Sequence, residues 1–285
     1  GLPVAMTIAL AVGMQRMAGR GAIIRRLSAV ETLGSTTTIC SDKTGTLTRN
    51  QMTVTALWLP GGREIKVEGI GYVPEGALRE GDAAPSADDE ALRGLLHAAA
   101  LCNDAELVPP DVEHADWQVI GDPTEGALLV LGHKAGLDLA ETQERLPRLA
   151  TLPFDPTYKL MATFNRATDD HGRPVVRVHV KGAAPAVMDR AATALSGGAV
   201  VPWDDDARRR ADGHVERISR RGQRVMAAAT RDVDPDEFDP DGDLLSYVTE
   251  LTMTALVGMV DPPRDESRAA VAEAQAAHIR VRMIT

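Results

Sequence analysis

The first apolar stretch of this chain, Leu2 to Met14, is interrupted only by Thr7 and Gly13 before Gln15 and Arg16 end it. A membrane-crossing helix needs about 20 apolar residues, so this run is too short to span a bilayer. It fits either a buried core helix or a truncated membrane helix. Arg16, Arg20, Arg25 and Arg26 follow closely, the placement expected where a helix leaves a membrane on its cytoplasmic side. Thr36 to Cys40 then predicts a short β-strand that stops at the turn-forming cluster Ser41 to Gly45. Asp42 is therefore expected at a strand's C-terminal end, where open α/β sheets place their chemistry.

The middle of the chain mixes two periods. Apolar positions recur with helical spacing over Glu90 to Leu101, Thr124 to Lys134 and Ala183 to Leu195, and alternate as in a strand over Arg173 to Val180. This predicts an inserted α+β domain. Arg79 to Asp89 and Asp232 to Asp243 are acidic stretches containing Pro and Gly, expected to be surface loops. From Thr254 an apolar strand runs through Val260, and a turn follows at Asp261, Pro262 and Pro263. A helix from Arg264 to Ala277 and a strand at Ile279 to Ile284 complete a predicted βαβ unit. Such a unit joins a parallel sheet, and its expected partner is the strand ending at Asp42. The first domain is thus split by the second.

Composition narrows the class. With 285 residues the chain has room for two domains, and 44% hydrophobic against 25% charged residues is an ordinary globular balance. A formal charge of −10 repels phosphate backbones overall and argues against nucleic acid as a partner. Cys40 and Cys102 make neither a disulfide framework nor a zinc site, which fits a reducing, cytosolic setting. Gly69, Gly71 and Gly76 do not match the dinucleotide fingerprint, and no Walker A sequence is present. The acidic run from Asp232 to Asp243 has Glu237 where a calcium loop requires Gly.

The strongest chemical signal is Asp42-Lys43-Thr44-Gly45-Thr46-Leu47-Thr48. A carboxylate at a strand end, followed by a Gly that turns backbone N–H groups toward an anion, can attack phosphorus and keep the product held. This segment resembles the phosphorylation signature of the P-type ATPases, members of the haloacid dehalogenase-like superfamily. The resemblance implies that Asp42 takes the γ-phosphoryl of ATP, that Lys43 offsets its charge, and that Asp42 and the Thr44 carbonyl help hold Mg²⁺. Phosphatases of the superfamily usually carry a second Asp at the position of Thr44, and Thr cannot act as that acid and base.

Further segments carry the likeness along the chain. Gly1-Leu2-Pro3 looks like the end of a signature in the family's fourth transmembrane helix, which favours the truncated-span reading. Gly121 to Leu128 resembles the segment whose Glu, here Glu125, faces the nucleotide. Pro153-Phe154-Asp155 with Lys159, and Val180-Lys181-Gly182-Ala183, resemble the adenine site. Arg224 matches a family Arg near the phosphates. Asp261-Pro262-Pro263-Arg264 matches the hinge back to the phosphorylation domain, and Thr285 stands where the family continues with Gly-Asp. Asp261, Arg264 and Thr285 are accordingly included among the expected nucleotide-binding residues.

The implied fold is a partial haloacid dehalogenase-like α/β phosphorylation domain interrupted by an α+β nucleotide-binding domain. The implied domains are a truncated transmembrane helix (1–18), a stalk (19–34), the phosphorylation domain (35–48 and 254–285, incomplete) and the nucleotide-binding domain (49–253). The implied activity is ATP-driven cation transport by a multi-pass membrane protein, in contact with lipid, with this segment facing the cytoplasm. The transported cation would be bound by membrane helices that this chain lacks. The Phe154, Lys159 and Lys181 pattern resembles the calcium and sodium/potassium branch. Two other functions stand beside this one, a soluble phosphatase of the same superfamily and a non-catalytic nucleotide-binding module. Because the later metal-binding carboxylates of the family lie outside this chain, it is expected to bind nucleotide without steady turnover.

Overall fold

The computed structural model of this chain describes residues 1–26, 28–86 and 89–285. Leu27 of the expected stalk, and Ala87 and Asp88 of the expected loop Arg79 to Asp89, lie outside the described residues. Along the chain run α1 (Leu2–Ala18), α2 (Ser28–Gly34), β1 (Thr38–Asp42), β2 (Thr53–Leu59), β3 (Arg63–Val67), β4 (Leu78–Arg79), α3 (Glu90–Leu101), β5 (Glu106–Val108), β6 (Gln118–Ile120), α4 (Pro123–Lys134) and α5 (Leu139–Arg145). There follow β7 (Arg148–Asp155), β8 (Leu160–Thr168), β9 (Pro174–Ala183), α6 (Ala184–Met188), β10 (Ala191–Ser196), β11 (Ala199–Pro202), α7 (Asp205–Arg220), β12 (Arg224–Val233), β13 (Leu251–Val260), α8 (Asp265–Ala276) and β14 (Arg280–Ile284). Two compact units divide the chain: residues 1–49 with 263–285, and residues 50–262.

In the smaller unit β1 and β14 pair in parallel, with Asp42 opposite Ile284. Asp42 is the last residue of its strand. Parallel pairing requires a crossover, and the second of the two strands is reached through α8. α1 is 17 residues long, and among the described residues no helix is long and apolar enough to cross a membrane.

The larger unit is built on a ten-stranded sheet whose main order is β4-β3-β2-β13-β12-β9-β8-β7. β10 pairs in parallel with the start of β13, beyond the segment that pairs with β2, and β11 pairs with β10. α3 and α4 pack on one face around Leu57, Leu95, Leu128, Leu131 and Val257. α6 and α7 cover the other face over Phe164, Val178, Trp203, Met253 and Leu256. Each fully buried Leu, Val or Phe contributes roughly 1.5–3 kcal/mol of apolar transfer, which makes these two layers the main source of the unit's stability.

Two expectations are corrected. The strand from Thr254 to Val260 does not begin a βαβ unit with the strand at Ile279 to Ile284. It is part of β13, which runs antiparallel to β2 and β12 inside the ten-stranded sheet. The compact units therefore divide between Pro262 and Pro263 rather than at 253/254. An apolar run buried on both faces has the same pattern in a parallel and an antiparallel sheet, so periodicity could not choose. The helix expected over Ala183 to Leu195 is only α6, and residues 191–196 form β10. Gly197 and Gly198, both at positive φ, turn β10 into β11 as a two-residue hairpin, a favoured Gly-Gly connection.

Alternation along β9 sends Val176, Val178 and Val180 into the core beneath α6 and α7, and Arg177, His179 and Lys181 to the face covered by α3. His179 is wholly buried, 6.2 Å from the ring of His97 on α3. Burial first, then the neighbouring His97 and Arg177, pushes its pKa from 6.5 down to about 3. The fold thus excludes a proton that the unfolded chain binds below pH 6.5, so His179 lowers stability as pH falls from 6.5 toward 3. Down to pH 4.5 this amounts to about 3 kcal/mol. The three tryptophans, Trp58, Trp117 and Trp203, all lie in the larger unit, so denaturant unfolding followed by their fluorescence reports on it. Between pH 7 and 4.5 the wild type should lose between about 2 and 3 kcal/mol more than His179→Gln; equal losses would contradict the assignment.

Candidate functional site

In the larger unit one cavity of about 560 Å³ opens between α4 and the ends of β7, β8, β9 and β12. That volume suits a small molecule. α4 begins at this cavity because Asp122 caps it, its carboxylate accepting from the backbone N–H groups of Thr124 at 2.7 Å and Glu125 at 3.2 Å, with Pro123 in the first turn. The cap puts Thr124 and Glu125 at the cavity wall.

Glu125 is held from two sides. Oε1 pairs with Lys181 Nζ at 2.5 Å, and Oε2 accepts from the backbone N–H of Asp104 at 3.1 Å. Side-chain exposures of 8% for Lys181 and 15% for Glu125 make this a largely desolvated ion pair. Next to Lys181, a side chain on Gly182 would place its Cβ 2.5 Å from the Lys159 carbonyl oxygen. Only Gly lets β9 approach the turn that carries Lys159. That turn is closed by Lys159 N–H donating to the Asp155 carbonyl at 2.7 Å, with Lys159 at φ +55. Phe154 is 61% exposed. Arg224 Nη1 donates to Thr124 Oγ1 at 3.2 Å.

The cavity therefore brings together Glu125, Phe154, Lys159, Lys181, Gly182 and Arg224. Three cations, one exposed ring and an apolar floor of Leu128, Met161, Val225 and Met226 suit a ligand with a flat ring and an anionic tail. Asp104, Asp122 and Thr124 also line it and were not anticipated. The Asp122-Pro123-Thr124-Glu125 order was a readable helix-start signal. Nearby, burial pushes the Cys102 thiol up to about 11, so this cysteine is a packing group rather than a nucleophile.

Asp42, Lys43 and Thr44 belong to the smaller unit. Past Asp42 the chain makes a type II turn, with Thr44 at φ −77, ψ 123 and Gly45 at φ +75, ψ −12. The positive φ explains the Gly. Thr48 locks this turn: its N–H and its hydroxyl both donate to the Lys43 carbonyl at 3.0 Å. Arg264 grips the same loop, donating to the Thr48 carbonyl at 3.1 Å and the Gly45 carbonyl at 3.2 Å. Asp261 accepts from Gln51 N–H at 3.2 Å. Asp261, Arg264 and Thr285 are not among the residues lining the cavity.

Comparison with known proteins gives these features a context. A family model described as P-type ATPase, cytoplasmic domain N, matches residues 91–266. The chain is 45% identical over 294 aligned positions to a probable cation-transporting ATPase F of Mycobacterium tuberculosis, which covers all of this chain and 30% of that protein. It is 43% identical to the cation-transporting ATPase pma1 of Synechocystis, covering all of this chain and 31% of that one. It is 34% identical to a calcium-transporting ATPase of Bacillus subtilis, again covering all of this chain and 31% of the other. The chain thus spans somewhat less than a third of the length of these relatives.

Removing one partner of a desolvated pair strands the other, which costs about 3–5 kcal/mol when the pair is buried. Lys181→Met should destabilise the larger unit by about 3 kcal/mol, and adding Glu125→Gln should recover at least half of that loss. Denaturant melts of the single and double variants check this. Additive losses would show that the two side chains do not depend on each other.

Proposed function

The chain belongs to the P-type ATPases, and from that premise we propose that it carries the nucleotide-binding and phosphoryl-accepting parts of an ATP-driven cation pump. The observation that carries this reading is the convergence of Phe154, Lys159, Lys181 and Arg224 on one cavity beside Glu125. Residues 50–262 then form the nucleotide-binding domain. Within the smaller unit, residues 35–49 and 263–285 are part of the haloacid dehalogenase-like phosphorylation domain, residues 19–34 are the stalk, and α1 is the end of a membrane helix. In this proposal the parent is a multi-pass membrane protein in contact with lipid, and the present segment faces the cytoplasm. The likeness to cation-transporting and calcium-transporting ATPases supports a cation as cargo, with calcium as one candidate.

The chemistry follows from the side chains. Adenine stacks on the exposed Phe154 ring, while Lys159, Lys181 and Arg224 meet ring acceptors and phosphate oxygens. Lys181 is preorganised, since Glu125 already fixes its ammonium. An Asp42 carboxylate oxygen attacks the γ-phosphorus as the bond to the bridging oxygen breaks and ADP leaves, forming an aspartyl phosphate. Lys43 offsets the added charge, and Arg264 steadies the loop through the Gly45 and Thr48 carbonyls. Thr44 in place of a second carboxylate leaves no general base for water at that position, so the intermediate persists. Thr44, together with the cavity that Phe154, Lys159 and Lys181 line, weighs against the soluble phosphatase. The Asp42 carboxylate and the Thr44 carbonyl are hard oxygen donors of the kind Mg²⁺ takes alongside water and phosphate oxygens. When bound, Mg²⁺ supplies neutralisation of charge on the transferring phosphoryl group.

Phe154→Ala should weaken ATP binding to the 285-residue chain by about 1–3 kcal/mol, the scale of one lost stacking contact. Calorimetric titration measures it, and equal affinities would sink the adenine assignment. In the complete pump, label from γ-phosphate should survive acid quench and be released by hydroxylamine, and Asp42→Asn should abolish it. Equal labelling of the variant would move the nucleophile elsewhere, and no label on the wild type would favour a non-catalytic nucleotide module.

A further inference from the structure

We infer that Arg148 is a positioning residue for the cavity, acting on Glu125 through Asp104; this rests on reading the cavity as a nucleotide site. Arg148 opens β7, the strand that ends with Phe154 and Asp155. Its guanidinium spans the corner where α3 ends. Nη2 donates to the Leu101 and Asn103 carbonyls, both at 2.7 Å, and Nη1 donates to Asp104 Oδ1 at 2.6 Å and to Thr151 Oγ1 at 3.5 Å.

These contacts meet two needs at once. The last carbonyls of a helix have no partner within it, and a forked cation satisfies them while complementing the negative end of the helix dipole. The same fork fixes Asp104, whose backbone N–H donates to Glu125 Oε2 at 3.1 Å. Asn103 reinforces the corner from inside, its buried amide donating to the Ala99 and Glu125 carbonyls, each at 2.9 Å. A continuous path therefore runs from Arg148 through Asp104 and Glu125 to Lys181.

The path also carries a charge argument. Three carboxylates line a cavity that is to receive a polyanion: Asp122 is taken up by the cap of α4, which leaves Asp104 and Glu125 to be compensated. Lys181 compensates one and Arg148 the other. Without Arg148, Asp104 loses its cation and the α3 corner loses the anchor for its carbonyls. The N–H that holds Glu125 is then free to drift, and Lys181 with it. Arg148 does not line the cavity itself, so its effect on binding must pass through these neighbours.

The test measures ATP affinity by calorimetry in four forms of the 285-residue chain: wild type, Arg148→Met, Glu125→Gln and the double variant. Thermal melts confirm that each is folded at the titration temperature. Arg148→Met should weaken ATP binding about tenfold in the wild-type background and less than about twofold once Glu125→Gln is present, the signature of coupled neighbours. Asp104→Asn, whose side chain is 57% exposed and therefore easily replaced, should give a smaller loss with the same dependence on Glu125. It carries the comparison if Arg148→Met fails to fold. Wild-type affinity in Arg148→Met, or an equal loss in both backgrounds, would overturn the inference, the latter by showing that Arg148 supports the fold without acting through Glu125. Absence of ATP binding by the wild type would instead overturn the nucleotide reading beneath it.

Discussion

The larger unit depends on the pairing of its first strand with its last. A segment inserted into another domain must return the chain to where it departed, and the antiparallel ladder between β2 and β13 does this, placing Thr53 opposite Val260. The same strand carries β12 along its other side and β10 beyond the end of β2, so it joins strands distant in sequence into one sheet. Both helix layers pack against it, through Ala255, Val257 and Met259 on one face and Leu251, Met253 and Leu256 on the other. Few single strands are asked to be apolar in both directions, and this one contains no charged residue.

On that frame the binding wall is a matter of alternation. β9 is apolar toward α6 and α7 and polar toward α3, and the polar positions lead from Arg177 at an exposed ion pair, through the neutral and wholly buried His179, to Lys181 at the cavity. Burying polar groups opposes folding unless partners are supplied. Lys181 has Glu125, whereas His179 is kept in its neutral form instead. The site and the proton sensitivity of the fold thus come from neighbouring positions on one strand.

Much of the site was legible because its residues sit in local motifs. Asp42 at a strand end followed by a Gly-containing turn needs only nearest-neighbour logic, and Gly45 at positive φ is the residue that a type II turn demands. The helix Glu90 to Leu101 shows apolar spacing strong enough to stand alone, whereas α4, buried continuously from Gly126 to Gly132, is legible from its Asp122-Pro123 start. What could not be read were relations made across the sheet. Nothing local says that Arg148 reaches the end of a helix 47 positions earlier, or that Asp104 lends its backbone to Glu125. The strand expected from Thr254 to Val260 forms as part of Leu251–Val260 but with other partners, since an apolar run carries no label for direction. The Gly197-Gly198 pair is a hairpin signal that the alanine-rich helical spacing before it masks.

β7 is the outermost strand on its side of the ten-stranded sheet. Its pairing with β8 loses register between Leu152 and Asp155, and Pro153 removes a backbone donor within that break. A flat, regular edge invites a strand from another molecule, whereas an irregular edge with proline is a poor template for one. Phe154 stands inside the irregular stretch, where a large exposed ring would otherwise be a liability for self-association. The interruption that leaves its face open to a planar guest is also what denies neighbouring chains a straight ladder to grow on, so ligand access and colloidal restraint come from the same break in the strand.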